Sequence, residues 1–211
     1  MKIALFGASG TIGQRIAQEA LNRGHEVTAI VRNPSRISIS HPHLAITEGN
    51  VSDPASVTKV VGGHDAVINA IGPTDGEQAH IVVDAARALI AGLPLAHVDR
   101  LVVVGGAGSL EVAPGVLLFD IPDFPKAWQP TARAHAEALD IYRTAGLNWS
   151  YFSPAALIQP GQRTGKYRLG TDQLITNDQG DSSISAEDYA IALINEVEQP
   201  QYIHRRFTIG Y

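Results

Sequence analysis

Three glycines stand at intervals of three residues near the start of the chain, in Gly7-Ala8-Ser9-Gly10-Thr11-Ile12-Gly13. Such spacing lets a backbone run close to a phosphate, whose charge is met by N–H groups that no side chain screens. The flanks give the spacing its meaning. Ile3-Ala4-Leu5-Phe6 reads as a buried strand, a helical pattern follows from Gln14 to Arg23, and Val27-Thr28-Ala29-Ile30-Val31 reads as a second strand. Strand, glycine turn, helix and strand form the unit that binds a dinucleotide, with the pyrophosphate on the helix N-terminus. The backbone of Gly10, Thr11 and Ile12 is expected to meet the pyrophosphate, with the Thr11 and Ser9 hydroxyls as further donors. Cofactor preference is read at the end of the second strand, where NAD-selective sites carry an acid for the ribose 2′-hydroxyl. Here that residue is Arg32, no acid lies between Val27 and Arg32, and Arg36 follows as a second cation. A guanidinium pairs with a 2′-phosphate in a fork, so NADP(H) is expected over NAD(H).

Proton chemistry has fewer candidates. Thr131 and His135 stand one helical turn apart, with Tyr142 on roughly the same face. His135 is able to exchange a proton near neutral pH, and it reads equally well as a histidine packed beside the sheet. His135-Ala136-Glu137 matches half of a zinc deaminase signature, yet the chain holds no cysteine to complete it. Gly161-Gln162-Arg163-Thr164-Gly165-Lys166 approaches a phosphate loop, but one residue is missing between the glycines and Tyr167 replaces the Ser or Thr. There is neither a G-x-S-x-G elbow nor H-E-x-x-H, and the eight histidines are dispersed, so no metal site is expected.

The elements that must hold these residues alternate along the chain. A third strand is expected near Leu44-Ala45-Ile46. Asp53-Pro54 then opens a helix as N-cap and first residue, and that helix ends near Gly62-Gly63. Asp65 to Ala70 reads as a fourth strand closed by Gly72-Pro73, and Ile81, Ala85, Ala88 and Leu89 mark one face of the next helix. Arg100 to Val104 is a fifth strand without polar alternation, hence buried on both faces. Beyond its glycine run, residues 110–130 read as a substrate-side loop. A helix over Thr131–Thr144, a strand at Trp149–Phe152 and a loop-rich stretch over 155–184 follow. Ser185-Ala186-Glu187-Asp188 is a capping-box variant that opens a helix through Val197, and Arg206–Ile209 is a terminal strand. The fold class is α/β, a Rossmann-type doubly wound parallel sheet in a single domain over 1–211, with a small substrate-side lobe from 106–130 and 155–184. Ligands of such sheets sit beyond the carboxyl ends of the strands, which singles out loops 7–13, 32–36, 49–53, 70–78 and 105–130. Gly106, Ala107, Leu118, Phe119, Trp128 and Pro154 are the candidates to line the substrate pocket.

Composition narrows the class further. The 211 residues are 45% hydrophobic and 18% charged, enough to bury a sizeable core. A net charge of -5 with both signs scattered argues against a nucleic-acid partner. The absence of cysteine excludes disulfides and cysteine nucleophiles. The apolar run after Lys2 is too short for a signal peptide, and no stretch approaches a membrane span. A cytoplasmic protein without membrane partners is expected, monomeric or a small homo-oligomer.

With these residues assembled, the chain resembles the atypical short-chain dehydrogenase/reductase superfamily, in its NmrA-like, NAD(P)H-binding branch. The markers are Gly7-x-x-Gly10-x-x-Gly13, Val31-Arg32, Gly49-Asn50-Val51, Asn69-Ala70-Ile71-Gly72, Val102-Val103-Val104-Gly105, His135-Ala136-Glu137-Ala138-Leu139, Ser153-Pro154-Ala155 and Ile184-Ser185-Ala186-Glu187-Asp188-Tyr189-Ala190. Similar proteins of this size are described as NADH-flavin reductases, and biliverdin/flavin reductase is a compact relative. The resemblance implies that Asn50 and Val51 meet the adenine and that Ala70, Ile71 and Gly72 flank the cofactor. It also exposes a departure: the family's catalytic Tyr-x-x-x-Lys occurs nowhere, and Thr131 and His135 stand in the two positions, with Lys126 upstream. The family serine after the fifth strand is matched by Ser109, displaced by the glycine run, so the catalytic candidates are His135, Thr131 and Ser109.

Losing the tyrosine bears on the reaction. Reducing a ketone leaves an alkoxide that needs a proton. Reducing a flavin or quinone spreads the charge over a conjugated system, for which water or His135 suffices. An NAD(P)H-dependent reductase of a flavin, quinone or similar small acceptor is therefore expected. The alternatives are a non-catalytic NADP(H)-binding redox sensor of the NmrA type and a nucleotide-sugar epimerase or dehydratase, whose larger relatives generally keep the tyrosine.

Overall fold

The computed structural model describes residues 1–73 and 78–211. In chain order it runs β1 (Lys2–Phe6), α1 (Thr11–Asn22), β2 (Glu26–Val31), β3 (Leu44–Glu48), α2 (Pro54–Val61), β4 (Ala66–Asn69), α3 (His80–Leu95) and β5 (Arg100–Val104). There follow β6 (Glu111–Ala113), β7 (Val116–Leu117), α4 (Gln129–Arg143), β8 (Asn148–Ser153), β9 (Leu157–Gln159), β10 (Arg168–Gly170), β11 (Ser183–Ser185), α5 (Ala186–Glu198) and β12 (Arg205–Gly210). Eight strands form one sheet in the order β10-β12-β8-β5-β4-β1-β2-β3. Every neighbouring pair is parallel except β10 with β12. This is the Rossmann-type α/β fold expected from the alternation.

Both faces of the sheet are covered. Residues of α1 and α5 pack on one face with Leu5, Val102 and Phe152, and residues of α2, α3 and α4 pack on the other with Phe6, Val103 and Tyr151. The unbroken apolar run of β5 is explained by this, since Leu101 and Val103 enter one layer while Val102 and Val104 enter the other. Local chemistry places the helices. The Asp53 carboxylate accepts the Ala55 N–H at 3.0 Å to cap α2, and Ser185 Oγ accepts the Asp188 N–H at 3.0 Å to cap α5.

Several boundaries depart from the sequence reading. The first helix starts at Thr11 rather than Gln14, because Gly13 lies inside its first turn against the Gly7 carbonyl. The fourth starts at Gln129, with Pro130 in its first turn, where a missing N–H breaks no helical bond. Stretches read as loops contain the β6–β7 hairpin and the three-residue strands β9, β10 and β11. Of the expected ligand loop 70–78, residues 74–77 lie outside the described residues. Among the described residues, no helix is long and apolar enough to cross a membrane.

The phosphate-loop look-alike has an internal purpose. The backbone N–H groups of Thr164 and Gly165 both donate to Asp188 Oδ1 at 2.8 Å, while Thr164 Oγ1 and the Tyr211 hydroxyl donate to Oδ2 at 2.5 and 2.8 Å. Its anion is therefore a carboxylate of the chain itself, and the loop is tied to α5 instead of facing a ligand. Asp188 is fully buried. Burial pushes its pKa up, but the hydrogen bonds from Thr164, Gly165 and Tyr211 outweigh burial and hold it below the 3.8 of a free carboxyl. A carboxyl whose folded pKa is depressed stabilises the fold at neutral pH, and that contribution is lost as pH falls below the free value through the folded one. Asp188→Asn is expected to cost roughly 2–3 kcal/mol near pH 7. In denaturant titrations the deficit should narrow as pH drops below 4; a deficit constant from pH 7 to pH 3 contradicts the assignment.

Candidate functional site

The strand order reverses at β1, whose parallel neighbours are β2 and β4, so a crevice opens beyond the carboxyl ends of β1 and β4. The three glycines that shape it have different tasks. Gly7 adopts φ +82°, and a Cβ there would lie 2.4 Å from the Ala70 carbonyl oxygen at the end of β4. A Cβ on Gly13 would lie 2.1 Å from the Gly7 oxygen. Gly10, by contrast, meets nothing closer than the Gly7 oxygen at 3.4 Å, and its backbone is extended at φ −79°, ψ 165°. Gly7 and Gly13 are required by the turn; Gly10 leaves space for something else. It is also the N-cap of α1 and no side chain caps it, so the exposed amide end of the helix is left for a ligand.

Beside this turn lies a pocket that gathers Gly7, Ser9, Arg32, Arg36, Asn50, Val51 and Ile71 of the expected cofactor residues, with Phe6, Ile30, Asn33, Gly49 and Ile81. Gly10 and Thr11 are exposed at the start of α1, Ile12 is half-buried within it, and Ala70 and Gly72 flank Ile71 at its edge. The Asn33 side chain, absent from the sequence reading, accepts the Ser35 N–H at 3.1 Å and so caps the turn that carries Arg36. Asn50 Oδ1 accepts the Ser52 N–H at 3.1 Å, which turns the amide NH2 of this side chain into the group free for a base. Arg32 and Arg36 are both exposed, and neither has an ion pair or side-chain hydrogen bond among the described residues. An uncapped helix end, a glycine with space beside it and two guanidinium groups unpaired among the described residues suit a dinucleotide.

A second cleft, of about 770 Å³, lies beyond the Ile71–Pro73 loop, which lines the pocket with Ile71 and the cleft with Pro73. Gly106, Ala107, Leu118, Trp128, Thr131 and His135 of the expected residues line it. So do Gly108, Ile121, Phe124, Asp123, Ala132 and Ala156. Trp128 is 57% exposed and meets Phe124 edge-on at 6.4 Å, so the rim is an aromatic wall open to solvent. The glycine after β5 is required here: a Cβ on Gly106 would sit 2.9 Å from the His135 Cγ.

Five expectations are corrected by position. Ser109 is not in the cleft, because Arg206 Nη1 donates to both its carbonyl and its hydroxyl at 2.9 Å and turns it into a separate hollow with Asp172. Phe119 is buried behind the wall, its ring under the Arg133 guanidinium at 4.8 Å, and Pro154 is likewise buried. Lys126 is exposed outside the cleft lining. Of the 155–184 stretch, Ala156 alone lines the cleft among the described residues. His135 is placed in the cleft, but burial draws its pKa down to about 4, so the ring is neutral at pH 7 and is no acid there. The tyrosines near it offer no substitute. Tyr142, Tyr151 and Tyr189 are wholly buried and their pKa values are raised by burial, Tyr142 against a weak hydrogen bond from Asn69.

The sequence profile of the NAD(P)H-binding family matches residues 7–200. The chain belongs to this family. Its capacity to hold a pyridine nucleotide follows. YwnB of Bacillus subtilis is 46% identical over 99% of this chain and 98% of its own length. A crystal structure from Bacteroides thetaiotaomicron, of a protein assigned as an epimerase, is 44% identical with a TM-score of 0.93, covering 100% of this chain and 96% of that one. Another, from Streptococcus pneumoniae and assigned as an NADH-flavin reductase, is 36% identical with a TM-score of 0.88, covering 100% and 99%. For this NAD(P)H-binding chain the glycine geometry makes a direct test. Gly10→Ala is expected to leave stability within about 0.5 kcal/mol while weakening binding of NADPH about tenfold. Gly7→Ala should cost roughly 3 kcal/mol, about 10 °C in Tm. Thermal melts and fluorescence titration read both, and equal loss of Tm in the two variants contradicts the division of tasks.

Proposed function

We propose that the chain is an NADPH-dependent reductase of a flat, conjugated small molecule, a flavin or quinone. The observation that carries this reading is the pairing of two sites across one loop. The glycine turn with Arg32 and Arg36 lies on one side of Ile71–Pro73, and an aromatic-walled cleft without a proton-donating tyrosine lies on the other.

When bound, a reduced pyridine nucleotide supplies hydride, and the chain's residues divide the remaining work. The α1 amide end and Gly10 receive the pyrophosphate, and Arg32 and Arg36 receive a 2′-phosphate. Asn50 and Val51 bound the base. Leu118, Phe124 and Trp128 cover the acceptor and exclude water from one of its faces. The atom balance suits this acceptor class, since two electrons and one proton arrive as hydride and the second proton comes from water. A ketone needs that proton delivered as its alkoxide forms, and neither a neutral His135 nor the buried tyrosines deliver it.

The streptococcal relative's assigned activity agrees with this reading, and the epimerase assignment of the Bacteroides relative does not. Epimerisation through a transient ketone would again need the missing tyrosine. A non-catalytic sensor would share the nucleotide site without using the cleft. Steady-state oxidation of NADPH with FMN, FAD and small quinones is expected to show turnover with at least one of them. No turnover with any of them contradicts the reading and favours the sensor. Arg32→Ala should raise the KM for NADPH by roughly 10- to 100-fold and leave that for NADH within about threefold; an equal change in both contradicts the 2′-phosphate role.

A further inference from the structure

Tyr151 is wholly buried in β8, directly behind the cleft, and does not reach it. Its hydroxyl donates to the backbone carbonyl of His135 at 2.9 Å. The one phenolic proton is thereby used. The 3.1 Å contact between the same oxygen and His135 Nδ1 must then carry the ring's proton, with Nδ1–H donating and Tyr151 accepting. A neutral imidazole with its proton on Nδ1 has a bare lone pair on Nε2. Nε2 has no partner among the described residues, and it is not one of the buried side-chain atoms left unpaired, which are Arg100 Nε, Ser153 Oγ and Thr208 Oγ1. His135 lines the cleft, so an Nε2 that is neither partnered nor enclosed is left to the cleft side. Gly106 leaves room for the ring in this position, since a Cβ there would be 2.9 Å from Cγ and 3.1 Å from Cδ2.

We infer that Tyr151 is a positioning residue that locks His135 in its Nδ1–H tautomer, so that the cleft selects an acceptor presenting an N–H or O–H to Nε2. The inference rests on the reductase reading and narrows it. An isoalloxazine carries an imide N–H on its pyrimidine ring. An unsubstituted naphthoquinone carries carbonyl acceptors alone and would set their lone pairs against that of Nε2. Asp123 at the rim is a carboxylate that likewise only accepts, while the Thr131 hydroxyl, one turn from His135, adapts to either partner. The fixed groups of the cleft thus ask for a donor, and a flavin supplies one.

Two measurements test this. Two-bond proton–nitrogen correlation spectra of the full chain labelled with 15N-histidine, with His135 assigned through His135→Gln, should show Nδ1 protonated and Nε2 bare. In Tyr151→Phe the two tautomers should mix. A wild-type His135 protonated on Nε2 overturns the inference, whatever the chain reduces. Turnover with lumiflavin and its N3-methyl derivative is the second measurement: methylation removes the imide N–H and should raise KM about tenfold with kcat changed less than threefold. Tyr151→Phe should shrink that discrimination to under threefold. Equal KM for the two flavins in the wild type overturns the inference. Should Tyr151→Phe fail to fold, the wild-type tautomer and the wild-type flavin pair still decide. Turnover of a small quinone without turnover of lumiflavin likewise overturns the inference, whereas absence of turnover with lumiflavin, FMN, FAD and quinones alike would overturn the reductase reading instead, leaving the tautomer to stand or fall by its spectrum.

Discussion

Everything in this molecule that faces a ligand depends on how tightly three backbone segments meet at Gly7. The end of β1, the first turn of α1 and the end of β4 approach so closely that a Cβ on Gly7 would touch the Ala70 carbonyl and one on Gly13 would touch Gly7 itself. That contact aims the uncapped end of α1 across the crevice and fixes the loop from Ala70 to Pro73. This loop divides the nucleotide pocket from the cleft. A shift of an ångström there would move both sites relative to each other, and hydride transfer needs its reacting atoms held to about that tolerance.

The other half of the sheet supports the cleft by burial. Phe152 stacks on Tyr189 at 4.2 Å and on Phe207 at 4.0 Å, and Tyr202 stacks on Phe207 at 4.3 Å, which ties β8, α5 and β12 into one aromatic column. Asp188 then fastens the turn at 164–165 and the terminal Tyr211 to α5. On the opposite face of β8, Tyr151 holds His135 from behind, and the missing side chain of Gly106 leaves the ring its place. The ring that lines the cleft is therefore backed by Tyr151, which lies outside the cleft lining. Burial also keeps that ring neutral, which makes it a recognition group rather than an acid.

Much of this was legible in the residues alone, for identifiable reasons. Gly7-x-x-Gly10-x-x-Gly13 between an apolar run and a helical pattern has one common structural meaning, and the unbroken Leu101–Val104 run marks a strand buried twice. Asp53-Pro54 and Ser185 announced their helices through capping chemistry that acts within three residues. What stayed hidden depends on long-range contacts. Nothing local distinguishes Phe119, buried under Arg133, from Leu118, which lines the cleft. Ser109 is drawn away by Arg206, 97 residues along the chain. The loop at 161–166 has the composition of an anion cradle and is one, but its anion, Asp188, belongs to a helix further along the chain. Likewise, a helix pattern cannot reveal that the Tyr151 hydroxyl lies 3.1 Å from the His135 ring nitrogen.

The proposed reductase requires the nucleotide pocket and the cleft to act on each other directly. Reduction of FMN by NADPH, followed anaerobically by stopped-flow absorbance of the flavin, tests that claim most closely when the transferred hydrogen of the nucleotide is replaced by deuterium. The flavin is expected to bleach in the presence of the protein, and bleaching is expected to slow with deuterium. A flavin that stays oxidised, in a solution where NADPH is demonstrably bound, would contradict it.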